Sequence, residues 1–220
     1  MNNAELVALT ADFVKETLAG AEGGHDWFHI ERVHRNAVLI GRGEKVDMLI
    51  VELGALLHDI ADAKFHNGDE NIGPKMAGEF LSSQGVKDEI IDHIQNIIRN
   101  ISFKSSLEAG SKNRFVSNEL KVVQDADRLD AIGAIGIART FNYGGFRNRS
   151  LYDPSISPNL NMDKETYKNS KAPTINHFYE KLLLLKDQMH TQTAKEIAAK
   201  RHQFMLDFLS QFFAEWEGKI

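Results

Sequence analysis

The sequence contains no cysteine. Disulfides, thiolate metal sites and cysteine nucleophiles are therefore excluded, and any metal must be held by histidine, aspartate or glutamate. The sequence also lacks long apolar runs: the longest, such as Leu182 to Leu185, have about four residues, whereas a membrane helix needs about 20. The first residues show no basic flank ahead of an apolar core, so we expect no signal peptide and a cytoplasmic protein.

Blocks of charge of one sign are also missing. The chain carries 26 lysines and arginines against 31 aspartates and glutamates, which gives a net charge of −5. A protein that binds nucleic acid through bulk charge is strongly basic, so we expect no nucleic-acid polymer as a partner. Because no apolar run could enter a bilayer, we expect no membrane partner either.

Proline is rare, and its positions divide the chain. Pro154, Pro158 and Pro173 all fall in the segment from about 142 to 173. This predicts a long loop, and a long loop in a compact domain is usually functional or disordered.

Elsewhere the apolar residues follow a helical period and no strand pattern is visible, so the sequence predicts an all-α fold. The predicted helices cover about 3–19, 26–41, 47–57, 74–83, 87–100, 118–141, 174–189 and 191–217.

A histidine and an aspartate, His58 and Asp59, stand side by side where an apolar segment ends at Leu57. Burying such a pair is costly unless each group has a partner or both hold a metal. Two other polar positions fit the same site: His29 on the second predicted helix, and Asp127 in a polar cluster between apolar residues. Two imidazoles and two carboxylates suit Mn²⁺, Fe²⁺, Ni²⁺, Co²⁺ or Zn²⁺, with Mg²⁺ left open, and leave positions for water and substrate.

Each of these residues also has an ordinary explanation. A His-Asp pair at a helix end commonly serves as a cap and a core contact, and a single histidine is more often a satisfied core or surface residue than a ligand. Asp125 is a rival to Asp127 as the fourth ligand. We expect His25 and Asp26 to support the His29 region through hydrogen bonds rather than to bind the metal. The order of the four candidate ligands on successive helices favours a metal centre.

Three stretches of the sequence resemble motifs of a known family. They are His-Asp-x-x-His-x-x-Arg-Val at 25–33, Leu-x-His-Asp-Ile at 56–60 and Asp-Ala-Asp-Arg-Leu-Asp-Ala-Ile-Gly-Ala-Ile-Gly at 125–136. In this order they resemble the HD superfamily of metal-dependent phosphohydrolases, and in detail a bacterial subgroup of mostly uncharacterised HD hydrolases. The similarity extends through His177 to Lys200, so it covers most of the chain.

The resemblance implies a single domain over 1–220 with an all-α, HD-domain helical bundle. Its metal-site core would cover about 20–141, a loop or lid about 142–173, and C-terminal helices about 174–217. The resemblance also implies one divalent metal ion and hydrolysis of a phosphate ester or anhydride, frequently in a nucleotide. Metal-activated water would attack the phosphorus, and the expected partner is a small phosphorylated compound.

Further site residues follow from the resemblance. Asp62, three residues after Asp59, matches the acidic residue that some single-metal members use to orient or deprotonate the water. The candidates for binding phosphate oxygens are Lys64, Arg128, Arg139 and Arg32. Arg128 and Arg139 could equally form structural ion pairs. The cationic residues that would make the 142–173 segment a substrate-gating lid are Arg147, Arg149, Lys164, Lys168 and Lys171, although charges in such a loop are most often only solvated.

Two alternatives to a single-metal phosphohydrolase are a two-metal phosphodiesterase and a nucleotide-sensing module. Two-metal members of the superfamily carry extra histidines between the His-Asp pair and the final Asp, where this chain has only His66 and His93. Ile101 also stands where some relatives have a histidine before Ser-Phe. A single metal is therefore the better expectation, and a two-metal phosphodiesterase would have to use His66 or His93. The other alternative is a nucleotide-sensing module without turnover, against which the full ligand set and Asp62 count.

The apolar segments near the end of the chain do not indicate a cofactor. The run Leu182 to Leu185 and the aromatic stripe from Phe204 to Phe213 recur at helical spacing. Such a stripe is typical of a core-facing helix or of the face of a homodimer. The sequence leaves both options open.

Overall fold

A computed structural model describes residues 1–20, 26–61, 69, 71–101, 115–161 and 170–220. Within these ranges the chain forms nine α-helices and one 3₁₀ helix and no strand, which confirms the predicted all-α fold. The α-helices are α1 (Asn3–Thr17), α2 (Trp27–Gly41), α3 (Met48–Leu57), α4 (Ile72–Ser83), α5 (Asp88–Asn100), α6 (Asn118–Asp130), α7 (Gly133–Phe146), α8 (Asn176–Glu180) and α9 (Gln192–Trp216), and the 3₁₀ helix is Leu182–Gln188. Among the described residues, every helix is too short or too polar to cross a bilayer.

The chain folds as two compact units, a first from Met1 to Asp127 and a second from Arg128 to Ile220. The boundary falls inside α6, so most of that helix belongs to the first unit. The expected single domain over 1–220 stays a prediction, as do its inner boundaries.

Helix α3 is central to the first unit. It packs against α1, α2 and α5, and α4 packs against α5. Seven of its ten residues are buried, namely Ile50, Val51, Leu53, Gly54, Ala55, Leu56 and Leu57. A helix that is apolar on all sides is stable only inside a core, and Gly54 allows close approach because a Cβ there would lie 3.2 Å from the Ile97 side chain. The fold therefore places the end of α3 in the interior, followed by the buried His58 and the half-buried Asp59.

Side-chain caps fix where the first three helices begin. The Asp26 side chain accepts a hydrogen bond from the backbone N–H of His29, and Asp47 caps α3 by accepting from the backbone N–H of Leu49. The cap of α1 is Asn2, whose side chain accepts from the backbone N–H of Glu5. Each cap satisfies an N–H group that a helix leaves without an internal partner.

Helix α6 ends earlier than the sequence predicts. One helix is expected over 118–141, but the structure places a break between Asp130 and Gly133. Gly133 has a φ of 76°, a left-handed conformation that glycine adopts without strain. Arg201 donates to the Leu129 carbonyl and Arg139 to the Asp130 carbonyl, so two guanidinium groups satisfy the end of α6.

The second unit is built on α9, which packs against α7 and the 3₁₀ helix. The helix expected over 174–189 is interrupted at Lys181, whose φ of −144° is not helical. The predicted loop begins later than expected, because α7 continues to Phe146. Residues of the predicted loop are held to those that follow it, since the backbone N–H groups of Thr174 and Ile175 donate to the carbonyls of Ser150 and Leu151. The lid function stays a prediction.

Candidate metal centre

His29 is held in the first turn of α2. Its backbone N–H donates to the Asp26 carboxylate at 2.9 Å, so the cap fixes the backbone that carries the imidazole. The helix begins at Trp27, which makes His29 an inward-facing residue that is only 3% exposed. Asp26 therefore has the supporting role expected from the sequence. His25 lies outside the described residues.

His58 follows the last residue of α3 and is 6% exposed. Its Nδ1 atom lies 2.8 Å from the carbonyl oxygen of Ala55. A carbonyl only accepts, so this hydrogen bond requires the proton on Nδ1 and leaves the lone pair on Nε2. A hydrogen bond from the other ring nitrogen to a carbonyl is typical of histidines that bind metals. The sequence carries no signal for it, because the acceptor is a backbone atom.

The structure brings His29, His58 and Asp59 together. Each offers a ligand atom, and these atoms all lie within 4.8 Å of one another. The two imidazole rings meet edge to face, with 5.5 Å between their centroids. Two ligand atoms about 2.1 Å from one ion are about 3 Å apart when adjacent and about 4.2 Å apart when opposite. The three residues therefore fit a single divalent ion with only small side-chain adjustments.

Asp127 is the carboxylate from α6 that meets this group. Its Oδ1 atom is 3.5 Å from Nε2 of His29, which is near the spacing of two adjacent ligands on one ion. Asp125, its rival, is fully buried and has an interaction partner of its own. The contact with His29 favours Asp127 as the fourth ligand, and that assignment stays a prediction.

The arginines predicted to bind phosphate are partly engaged in structural contacts. In the second unit, Arg128 donates to the carbonyl of Gln188 at 3.1 Å, and Arg139 forms an ion pair with the buried Asp130. The phosphate role stays a prediction for both arginines. Arg32 lies half-buried on α2, one turn after His29.

Several predicted site residues lie outside the described part of the chain. They are the proposed base Asp62, the cation Lys64, the histidine His66 and two cations of the predicted lid, Lys164 and Lys168. Two other cations of that segment, Arg147 and Lys171, are described, and Arg149 donates to the carbonyl of Ser170 at 2.6 Å. These roles also stay predictions.

His93, a candidate for a second metal, has other contacts. Its Nε2 atom lies 2.9 Å from the Ser117 hydroxyl and 3.5 Å from the Glu119 carboxylate, near the start of α6. Within the described ranges, the group of His29, His58 and Asp59 is the one cluster of three or more such ligands, and His93 is not part of it. The described residues thus offer one candidate metal centre.

Comparisons with known proteins agree with this geometry. A family model described as the HD domain matches residues 27–132, which include all four candidate ligands. The YpgQ protein of Bacillus subtilis, described as uncharacterized, is 39% identical over 94% of this chain and 91% of its own length.

Solved structures extend the similarity to the whole fold. The crystal structure of an HD-superfamily hydrolase from Bacillus thuringiensis is 42% identical, with a TM-score of 0.78 over 98% of this chain and 99% of that one. The structure of B. subtilis YpgQ in complex with ADP is 36% identical, with a TM-score of 0.75 over 98% of this chain and 97% of that one. Family model, sequence relatives and fold agree, and the chain belongs to the HD superfamily.

Proposed function

We propose that the protein is a metal-dependent phosphohydrolase that cleaves a phosphate ester or anhydride of a nucleotide or another small phosphorylated metabolite. The observation that carries the proposal is the set of ligand atoms from His29, His58 and Asp59 within 4.8 Å of one another. Asp127 adds a carboxylate 3.5 Å from His29. Members of this superfamily typically bind divalent metals, and similar chains are named HD-superfamily hydrolases.

The proposed site holds one divalent ion between α2, the end of α3 and α6. A bound Mn²⁺, Fe²⁺, Co²⁺, Ni²⁺, Zn²⁺ or Mg²⁺ would supply a nucleophilic water at neutral pH and withdraw charge from a phosphoryl oxygen. The protein's part is to present neutral imidazole nitrogens and carboxylate oxygens in fixed positions. The hydrogen bond from His58 to Ala55 does this for one imidazole, and the Asp26 cap does it for the turn that carries His29.

We propose Asp62 as the residue that takes the proton from the attacking water. It follows Asp59 by three residues and matches the acidic residue that some single-metal members of the superfamily use to orient or deprotonate the water. The positive groups proposed to bind phosphate oxygens are Lys64, Arg32, Arg128 and Arg139. Arginine suits this role because its planar fork donates two parallel hydrogen bonds to a phosphate.

The proposal of a nucleotide substrate is supported by one relative. B. subtilis YpgQ has been crystallised with ADP, and the similarity to that chain extends over nearly the whole length of both proteins. A nucleoside di- or triphosphate offers both an anhydride to cleave and a base to recognise. The cytoplasmic location stays a prediction.

Metal analysis and a substrate screen test the proposal together. The purified protein would be stripped with a chelator, reloaded with Mn²⁺, Co²⁺ or Ni²⁺, and incubated with nucleotides and other phosphorylated metabolites while phosphate or pyrophosphate release is measured. Asp59→Ala should abolish both metal binding and release, whereas Asp12→Ala, at an exposed position on α1, should change neither. Hydrolysis that survives Asp59→Ala would contradict the proposal.

The role of Asp62 needs a separate variant. Asp62→Asn should bind the metal as the wild type does, because Asp62 is not a proposed ligand, but should lose at least about 100-fold in kcat, as expected for a general base. One metal per chain at saturation is the expected stoichiometry, and two would favour the two-metal alternative. Tight ADP binding without product under any metal would instead support a sensing module.

A further inference from the structure

A buried amide interrupts the apolar face of α2. The inward positions of this helix carry His29, Ile30, Val33, Ala37 and Ile40, all buried, and Asn36 is buried among them at 9% exposure. Asn36 follows His29 by seven residues, which is two helical turns, so both side chains lie on one side of α2. An asparagine at such a position is costly unless its amide is hydrogen-bonded.

The Asn36 amide bonds to the helix that carries the proposed fourth ligand. Its Nδ2 atom donates to the carbonyl oxygen of Ala126 on α6 at 3.4 Å. A backbone carbonyl has two lone pairs, so it can accept this bond in addition to one within its own helix. Ala126 directly precedes Asp127, whose carboxylate lies 3.5 Å from His29. Helices α2 and α6 are thus joined twice at this point, through the ligands and through Asn36.

Of the two ligands in this contact, Asp127 has more need of external support. The side chain of His29 is 4% exposed, whereas that of Asp127 is 42% exposed. Asp127 also lies in the last turn of α6, which ends at Asp130. A half-exposed carboxylate near a helix end is held by its backbone rather than by side-chain packing. Asn36 makes a side-chain bond to that backbone, at the carbonyl of the residue directly before Asp127.

We propose that Asn36 is a positioning residue of the metal centre: by bonding the Ala126 carbonyl, it fixes the α6 backbone so that the Asp127 carboxylate reaches the ion held by His29, His58 and Asp59. This inference rests on the proposed function. Asn36 lies outside the three sequence motifs, so it is an additional residue that supports the metal ligands. Supporting partners of this kind usually change metal affinity about 10- to 100-fold when they are removed.

The first test compares two leucine variants by calorimetric titration of the metal-free protein with Mn²⁺. Asn36→Leu removes the amide and keeps a side chain of similar size. Gln95→Leu is the matched control, because Gln95 also donates an amide N–H to a backbone carbonyl on another helix, that of Pro74, at 2.9 Å. Asn36→Leu should weaken Mn²⁺ binding about 10- to 100-fold, and Gln95→Leu should leave it unchanged. Equal losses in both variants would overturn the proposal.

A double-mutant cycle separates positioning from a general loss of structure. If Asn36 acts through Asp127, then Asn36→Leu should weaken Mn²⁺ binding in the wild type but not further in an Asp127→Asn background. Additive losses would overturn the proposal. If the circular dichroism of the metal-free Asn36→Leu protein shows unfolding, Asn36→Ala replaces it in both experiments.

The same titration distinguishes this inference from the proposed function. A wild-type protein that binds no divalent ion at all would refute both. Wild-type binding and phosphate release together with an unchanged affinity in Asn36→Leu would refute the role of Asn36 alone.

Discussion

The Nδ1 atom of His58 lies 2.8 Å from the carbonyl oxygen of Ala55, three residues earlier in the chain. This bond determines which nitrogen of the imidazole is free. With the proton on Nδ1, the Nε2 lone pair is available to a metal, and the ring cannot rotate without losing a buried hydrogen bond. The backbone at the end of α3 therefore selects the tautomer as well as the position of the proposed ligand.

Two substitutions at His58 should separate the two nitrogens. Asparagine can place an amide nitrogen where Nδ1 is now but has no atom at the Nε2 position, whereas glutamine can place an amide oxygen near Nε2. Removal of a supporting partner typically weakens metal binding about 10- to 100-fold. His58→Asn should weaken Mn²⁺ binding by more than that, whereas His58→Gln should retain weak binding. Titration of each metal-free variant with Mn²⁺ provides the measurement. Stronger binding by the asparagine variant would show that Nδ1 is the ligand.

The Asp26 cap links helix stability to the metal centre. Its carboxylate accepts the His29 N–H at 2.9 Å, and removing an N-cap of this type costs about 1 kcal/mol. Asp26→Ala should therefore lower the free energy of unfolding and also weaken Mn²⁺ binding, because the first turn of α2 carries the ligand. Urea unfolding and metal titration of the same protein samples give both quantities.

The control for this prediction is the cap of a helix without a proposed ligand. Asn2 caps α1 by accepting the N–H of Glu5 at 2.9 Å. Asn2→Ala should lower stability and leave the Mn²⁺ affinity as it is. If both variants lost affinity in proportion to their stability, the Asp26 cap would have no particular connection to the site.

The sequence was sufficient for the features that depend on local pattern. Apolar spacing predicts the all-α fold, and the apolar segment that ends at Leu57 is the buried helix α3. The order of three motifs predicted the family, which the comparisons confirm. His29, His58 and Asp59 were expected in one site, and the structure brings their ligand atoms within 4.8 Å of one another. Such features are visible in a sequence because each depends on residue type and spacing.

The features that the sequence did not reveal depend on distant contacts or on backbone angles. The break before Gly133 combines a positive φ with capping by Arg201, which is remote in sequence. The bond from Asn36 joins residues 90 positions apart. Asn36 is a polar residue on the apolar face of α2, and this position was a signal visible in the sequence. Its partner, the Ala126 carbonyl, could not be inferred. Apolar spacing alone also could not predict that Phe204 is 52% exposed.

Two glycines of α7 should respond oppositely to the same substitution. A Cβ on Gly136 would lie 2.3 Å from the backbone oxygen of Ala131, which cannot move independently, whereas a Cβ on Gly145 would meet nothing within 4 Å. Gly136→Ala should destabilise the protein by about 1–3 kcal/mol through overpacking. Gly145→Ala should stabilise it by up to about 1 kcal/mol, because alanine is the better helix former.

Urea unfolding of both alanine variants measures these changes. They share a helix and a chemical change, so a difference in sign isolates the contact with Ala131. Stabilisation by Gly136→Ala would mean that α7 and the turn before it are packed less closely than the structure shows.

His177 should make the second unit sensitive to acid. Burial, and then the positive charges of Lys181 and Arg149, lower the pKa of His177 from 6.5 to about 4. Between these two values the unfolded chain binds a proton that the folded chain does not, so the free energy of unfolding falls as the pH falls. The contribution of His177 is complete above pH 6.5 and is lost as the pH approaches its folded pKa.

A variant without a titrating group at this position should remove that dependence. In His177→Gln, the free energy of unfolding should fall less between pH 7 and pH 4 than in the wild type, by roughly 3 kcal/mol if the whole pKa difference is realised. Carboxylates titrate in the same range in both proteins, so only the difference between the two curves reports on His177. Urea unfolding at half-unit pH intervals measures it. Parallel curves would mean that His177 titrates alike in the folded and unfolded chains, and that its burial beside two cations does not disfavour the imidazolium.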